Sequence, residues 1–114
     1  MQLKEENYTW HLIDNLCNSM LINNEIHLVK VTDKEICILK YDDNIVAFSN
    51  NCPHAGAKFN NGGYIDLKGC VVCPLHGYRF DTKNGMSKTG DGYRLFCYKI
   101  KANKDEIWVG IKIS

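Results

Sequence analysis

Hydrophobic positions along the chain come in short runs broken by polar turns, a pattern of strands rather than helices. Residues 26–31 (Ile-His-Leu-Val-Lys-Val) and 36–41 (Ile-Cys-Ile-Leu-Lys-Tyr) are β-rich and are joined by the polar Thr32-Asp33-Lys34-Glu35. Asp42-Asp43-Asn44 turns the chain into a third run at 45–48. Toward the C-terminus, residues 95–100 and 107–113 flank the polar Ala102-Asn103-Lys104-Asp105. In the last run Ile107, Val109, Ile111 and Ile113 fall on one face and Trp108, Gly110 and Lys112 on the other, because side chains alternate along a strand. Shorter strands are expected at 64–67 and 69–72, and a helix only at 14–22.

The middle third differs. Residues 50–92 hold eight of the nine glycines and both prolines, which is the composition of loops. A chain of 114 residues has room for one core, so a single domain is expected over 1–114, a β scaffold carrying a glycine-rich loop subdomain. An apolar content of 45% argues against disorder, and a net charge of +1 gives no reason to expect nucleic-acid binding. The longest apolar run is four residues, whereas a membrane-spanning helix needs about 20. Met1-Gln2-Leu3-Lys4-Glu5-Glu6 shows no apolar signal segment, so the expected location is cytoplasmic. Charge is uneven: four basic residues stand against eight acidic ones over 1–51, five against two over 52–90, and five against three over 91–114.

Six cysteines are many for a cytoplasmic chain of this size, and where they cluster with histidines they suggest metal rather than disulfides. Cys52-Pro53-His54 is followed, after eighteen residues, by Cys73-Pro74-Leu75-His76. Each pair offers one thiolate and one imidazole. The prolines fix the backbone beside each cysteine, and Gly56 and Gly77 permit unusual dihedrals just past each histidine. Such a set suits a tetrahedral Cys2His2 zinc. It suits equally a [2Fe–2S] cluster with two cysteines on one iron and two histidines on the other. The spacing alone leaves both open.

The wider stretch from Cys52 to Gly85, Cys-Pro-His-x18-Cys-Pro-Leu-His-Gly-Tyr-Arg-Phe-Asp-x-x-x-Gly, closely resembles the Rieske iron–sulfur family. The likeness extends to the strand-like Ala47-Phe48-Ser49-Asn50-Asn51 before Cys52 and to the two closing runs, covering roughly residues 8–113. It implies an all-β fold, a Rieske-type antiparallel β-sandwich or barrel with an inserted cluster-binding loop subdomain at about 50–85. It implies one [2Fe–2S] cluster, with Cys52 and Cys73 on the buried iron and His54 and His76 on the outer one. The implied function is a soluble one-electron carrier rather than an enzyme, taking electrons from a flavoprotein reductase and passing them to a terminal oxygenase or similar enzyme. The alternatives are a small subunit of an assimilatory nitrite reductase and, in another class, a structural zinc module.

Departures from the family pattern carry information. Ala57 and Leu75 stand where cytochrome-complex members have a pair of cysteines, so their disulfide is not expected here. Tyr78 and Phe80 replace a serine and a tyrosine that donate hydrogen bonds to sulfur. Fewer donors stabilise the reduced cluster less, which implies a potential near about −150 mV rather than about +300 mV. Arg94 stands where the family often has a proline, in a loop that covers the cluster.

Plainer roles suit the remaining candidates. Cys37, Cys70 and Cys97 read as small apolar core residues, although Cys70-Val71-Val72-Cys73 also has redox-pair spacing. Cys17 has no assigned role, and His11 and His27 lack neighbouring ligands. Trp10 and Trp108 read as core aromatics, and Phe59, Tyr78 and Phe80 as packing beneath the loops. Lys58, Lys68, Arg79, Lys83 and Lys88 read as solvated surface, with steering of an acidic partner as the alternative. No nucleophile or acid–base set is recognisable, so no catalytic residue is assigned.

Overall fold

The computed structural model describes residues 7–14, 16–53, 56–75, 77–88 and 92–113. Among these there are nine strands and no α-helix: β1 Tyr8–Leu12, β2 Ile26–Val31, β3 Lys34–Tyr41, β4 Asn44–Ser49, β5 Tyr64–Ile65, β6 Cys70–Val72, β7 Arg79–Asp81, β8 Cys97–Ala102 and β9 Ile107–Lys112. One antiparallel sheet has the order β1-β9-β8-β4-β3-β2, and a second has β5-β6-β7. The second is inserted between β4 and β8 in sequence, as the loop-rich middle third required.

Tight turns set the register. Asp42 and Asp43 both adopt positive φ (52° and 65°), which lets a two-residue hairpin match the twist of β3 and β4. Between β2 and β3 the turn is only Thr32-Asp33, with Val31 opposite Lys34. Lys34 and Glu35, expected in the turn, therefore extend β3, because Thr32 at φ 57° reverses the chain early. The β8–β9 loop is held by Asn103, whose Oδ1 accepts the Asp105 and Glu106 N–H groups at 2.9 and 2.8 Å.

β4 and β8 share only two Cα pairs, Ala47–Tyr98 and Phe48–Cys97, and the sheet folds over at this seam. Ile36, Ile38 and Ala47 from one half then meet Ile107 and Val109 from the other, together with Ile13, Leu16, Leu21 and Val31. The opposite face of β3 and β4 presents Cys37, Leu39 and Phe48 to a second core, with Phe59, Val71, Phe80, Leu95, Cys52 and Cys73. This explains why 36–39 reads as unbroken apolar sequence: both faces of β3 are covered. Phe59 stands at the centre of this second core, edge-on to Phe48 (5.7 Å) and to Phe80 (6.3 Å).

Four expectations need correction. Residues 14–22 form no helix; only Asn18–Met20 makes a 3-10 turn, and Asn15 lies outside the described residues. Leu16 and Leu21 are buried while Met20 and Ile22 are exposed, so the apolar residues do not share a helical stripe. Trp10 and Trp108 are half-buried rather than core. The Trp10 ring lies against Gly110, where a Cβ would come within 3.0 Å of the ring and press it aside, and Lys101 Nζ sits 4.2 Å from the Trp10 ring centre. Ile113 is exposed, although Ile107 and Val109 are buried as expected. Cys97 is half-buried rather than core, its Sγ facing the Thr82 and Leu95 carbonyls.

Candidate metal centre

Each candidate cysteine opens a turn of the same construction. Cys52 N–H donates to Ala57 O (2.8 Å), and Gly56 N–H donates back to Cys52 O (2.8 Å). Cys73 N–H donates to Tyr78 O (2.8 Å), and Gly77 N–H to Cys73 O (3.1 Å), at the same offsets. Both turns need a left-handed residue four positions after the cysteine; Gly56 (φ 71°) and Gly77 (φ 74°) supply it without strain. Cys52 and Cys73 are buried in the same core, and neither is in a disulfide. Two buried cysteines outside any disulfide, at matching turns, suit one metal assembly held between two loop tips. His54 and His76 lie outside the described residues. Among the described residues alone, no group of three or more His, Cys, Asp or Glu side chains converges.

The first loop is tied to the large sheet through Asn50, a buried polar residue that sequence reading passed over as part of the leading strand. Its amide bonds to Cys37, Glu35 and Asn60. Lys58 Nζ reaches Glu35 Oε1 (2.9 Å) and Asn51 Oδ1 (2.6 Å). Lys58 and Asn50 hold the Glu35 carboxyl below its ordinary pKa. Burial, helped by the Glu35 charge, pushes the Cys37 thiol up to about 12, so it stays a neutral donor to Asn50.

The second loop rests on the β5–β6 turn. Asp66 Oδ1 accepts the Lys68 and Cys70 N–H groups, and Oδ2 pairs with Arg79 Nε at 3.1 Å. Burial works to raise the Asp66 pKa, but those two N–H groups and the Arg79 guanidinium outweigh it and hold it low. Cys70 is buried in β6, and burial with the Asp66 charge raises its thiol pKa. A reluctant thiolate inside a strand is suited to packing rather than ligation. Phe59 and Phe80 are buried in the core that holds both cysteines, and the half-buried Tyr78 packs against it, edge-on to Tyr93 at 6.0 Å. Of the five basic residues at 52–90, Lys58, Arg79 and Lys88 face Glu35, Asp66 and Asp81 at 2.9, 3.1 and 3.9 Å. His11 and His27 line a separate cleft of about 710 Å³ between β1 and β2 that holds none of the cysteines.

Comparison with known proteins points the same way. The family model for the Rieske [2Fe-2S] domain matches residues 5–99. The ferredoxin component of the naphthalene 1,2-dioxygenase/salicylate 5-hydroxylase systems of Ralstonia sp. is 35% identical over 79 residues, covering 69% of this chain and 74% of that protein. Cholesterol 7-desaturase of Caenorhabditis elegans is 32% identical over 78 residues, but the match spans only 18% of its length. Among solved structures, the ferredoxin of carbazole 1,9a-dioxygenase from Nocardioides aromaticivorans IC177 superimposes with a TM-score of 0.75 at 25% identity, covering 82% of this chain and 91% of that one. The chain belongs to the Rieske [2Fe-2S] domain family, and its cofactor is a [2Fe–2S] cluster.

Proposed function

We propose that this protein is a one-electron carrier of the Rieske ferredoxin type, a single domain over 1–114 with its cluster-binding subdomain at about 50–85. It accepts an electron from a flavoprotein reductase and delivers it to a terminal oxygenase or similar enzyme. The observation that carries the reading is the pair of matching cysteine turns, in a chain that aligns with most of the length of a dioxygenase ferredoxin component. Cys52 and Cys73 hold one iron through sulfur, and His54 and His76 hold the other through a ring nitrogen. When bound, the cluster supplies one-electron redox chemistry at a potential set by its ligands and their surroundings. The chain buries the sulfur side against Phe48, Phe59 and Phe80 and shields it from water. Leu75, next to His76, is 56% exposed and offers an apolar contact for a partner approaching the histidine side. The cytoplasm is the matching location, since none of the six cysteines is in a disulfide, as a reducing compartment favours.

Titration with a chemical reductant tests the carrier role: the protein takes up one electron per chain, and reduced protein is reoxidised by a terminal oxygenase. Failure of oxygenase to reoxidise it, with copurification of a large sirohaem subunit instead, would favour the nitrite reductase reading. A protein of Mycobacterium tuberculosis assigned as an NADH-dependent nitrite reductase small subunit shares the fold, with a TM-score of 0.80 at 19% identity.

Partner encounter is expected to depend weakly on salt, because acids already face three of the five basic residues at 52–90. Raising ionic strength from about 20 mM to about 500 mM changes the second-order rate of reduction by the reductase less than about threefold. A steep fall in that rate would restore the steering role of the basic loop region.

A further inference from the structure

We propose that Asn50 is a positioning residue that fixes the place of Cys52 in the cluster site, an inference that rests on the ligand assignment above. Asn50 is buried, yet every polar atom of its side chain is used. Oδ1 accepts the Cys37 thiol (3.2 Å) and the Asn60 N–H (3.0 Å). Nδ2 donates to Glu35 Oε1 (3.1 Å) and Asn60 Oδ1 (2.9 Å). Its backbone is used as well, the N–H by Glu35 O (3.1 Å) and the C=O by Phe59 N–H (2.9 Å).

Three stretches of chain converge on this one amide: β3 at Glu35 and Cys37, the approach to Cys52, and the return of the loop at Phe59 and Asn60. The turn that carries Cys52 closes onto Ala57, so it hangs between the two segments Asn50 joins. Lys58 lies alongside, bridging Glu35 and Asn51. Only an amide fills the position. Leucine has similar volume but leaves the Asn60 groups and the Cys37 thiol without this partner and removes one of the two donors, beside Lys58, that reach the Glu35 carboxylate. Aspartate keeps the shape and both acceptor bonds, but it cannot donate and places a second carboxylate beside Glu35. Among the described residues the second cysteine loop is held differently, from the β5–β7 side, by Asp66 and Arg79.

The pattern of donors and acceptors suggests a rescue test on the iron-loaded protein. Asn50→Asp is expected to shorten the half-life of the cluster absorption in air with chelator at least about tenfold and to shift the EPR spectrum of the reduced cluster. Combining it with Glu35→Gln restores a donor facing an acceptor, and the half-life returns to within about threefold of wild type. Asn50→Leu should match the single aspartate variant and should gain nothing from Glu35→Gln. Half-lives and spectra unchanged in both Asn50 variants would overturn the proposal. If Asn50→Leu does not fold, the aspartate pair decides: no recovery on adding Glu35→Gln also overturns it. Wild-type protein without iron would defeat the ligand assignment and this inference together, whereas an iron-loaded wild type with indifferent variants would defeat the inference alone.

Discussion

Cys52→Ser, Cys73→Ser, His54→Ala and His76→Ala are each expected to yield protein with less than about a tenth of the wild-type cluster content, whereas Cys70→Ser keeps its colour. The contrast between Cys70 and Cys73 is the informative part, because the two are three residues apart and both buried. Cys70 sits in the β6 ladder opposite Asp81, and burial with the Asp66 charge disfavours its thiolate. Cys73 stands just past the end of β6, where the backbone breaks into a turn of the same construction as the one at Cys52. Iron and acid-labile sulfide analysis of the five variants checks the assignment. A colourless Cys70→Ser protein, or a fully loaded His76→Ala protein, would redraw the ligand set.

Phe59→Ala is expected to destabilise the fold by about 3–5 kcal/mol, since a fully buried phenylalanine leaves a cavity that its neighbours fill only in part. A domain of this size holds about 5–15 kcal/mol in all. The melting temperature should fall by about 12–20 °C, and the denaturant midpoint should fall with it. Phe59 joins Phe48 on the large sheet to Phe80 on the small one, so its loss unseats the β5–β7 unit from the scaffold. Cluster loss should therefore precede global unfolding in this variant, seen as bleaching of the visible band below the far-ultraviolet transition. Coincident transitions with wild-type midpoints would remove Phe59 from that role.

The sequence was most legible where chemistry constrains it most. The two Cys/His motifs, their prolines and the glycines beyond them identified the family, and the structure gives the glycines their reason: Gly56 and Gly77 occupy the same left-handed position in two matching turns. Strand β2 was readable to the residue, and β3 and β4 nearly so, because their apolar runs are bounded by polar hairpins. β1 was not foreseen, since its outward side chains Tyr8, Trp10 and Leu12 are apolar and its inward His11 is not, which blurs the alternation. β7 is three residues with one apolar side chain, too short to carry a period. The false helix at 14–22 arose from apolar residues that leave the chain in different directions. Asn50 was invisible because a buried amide and a loop amide look alike in sequence; only the convergence of Glu35, Cys37 and Asn60 distinguishes it.

Mössbauer spectroscopy of ⁵⁷Fe-labelled protein, oxidised and then reduced by one electron, tests the asymmetric site most directly. Sulfur ligands on one iron and imidazoles on the other predict two distinct ferric sites in the oxidised protein, with the added electron localised on the nitrogen-ligated iron and ¹⁴N couplings in the matching EPR sample. Two equivalent iron sites, or zinc in place of iron, would contradict it.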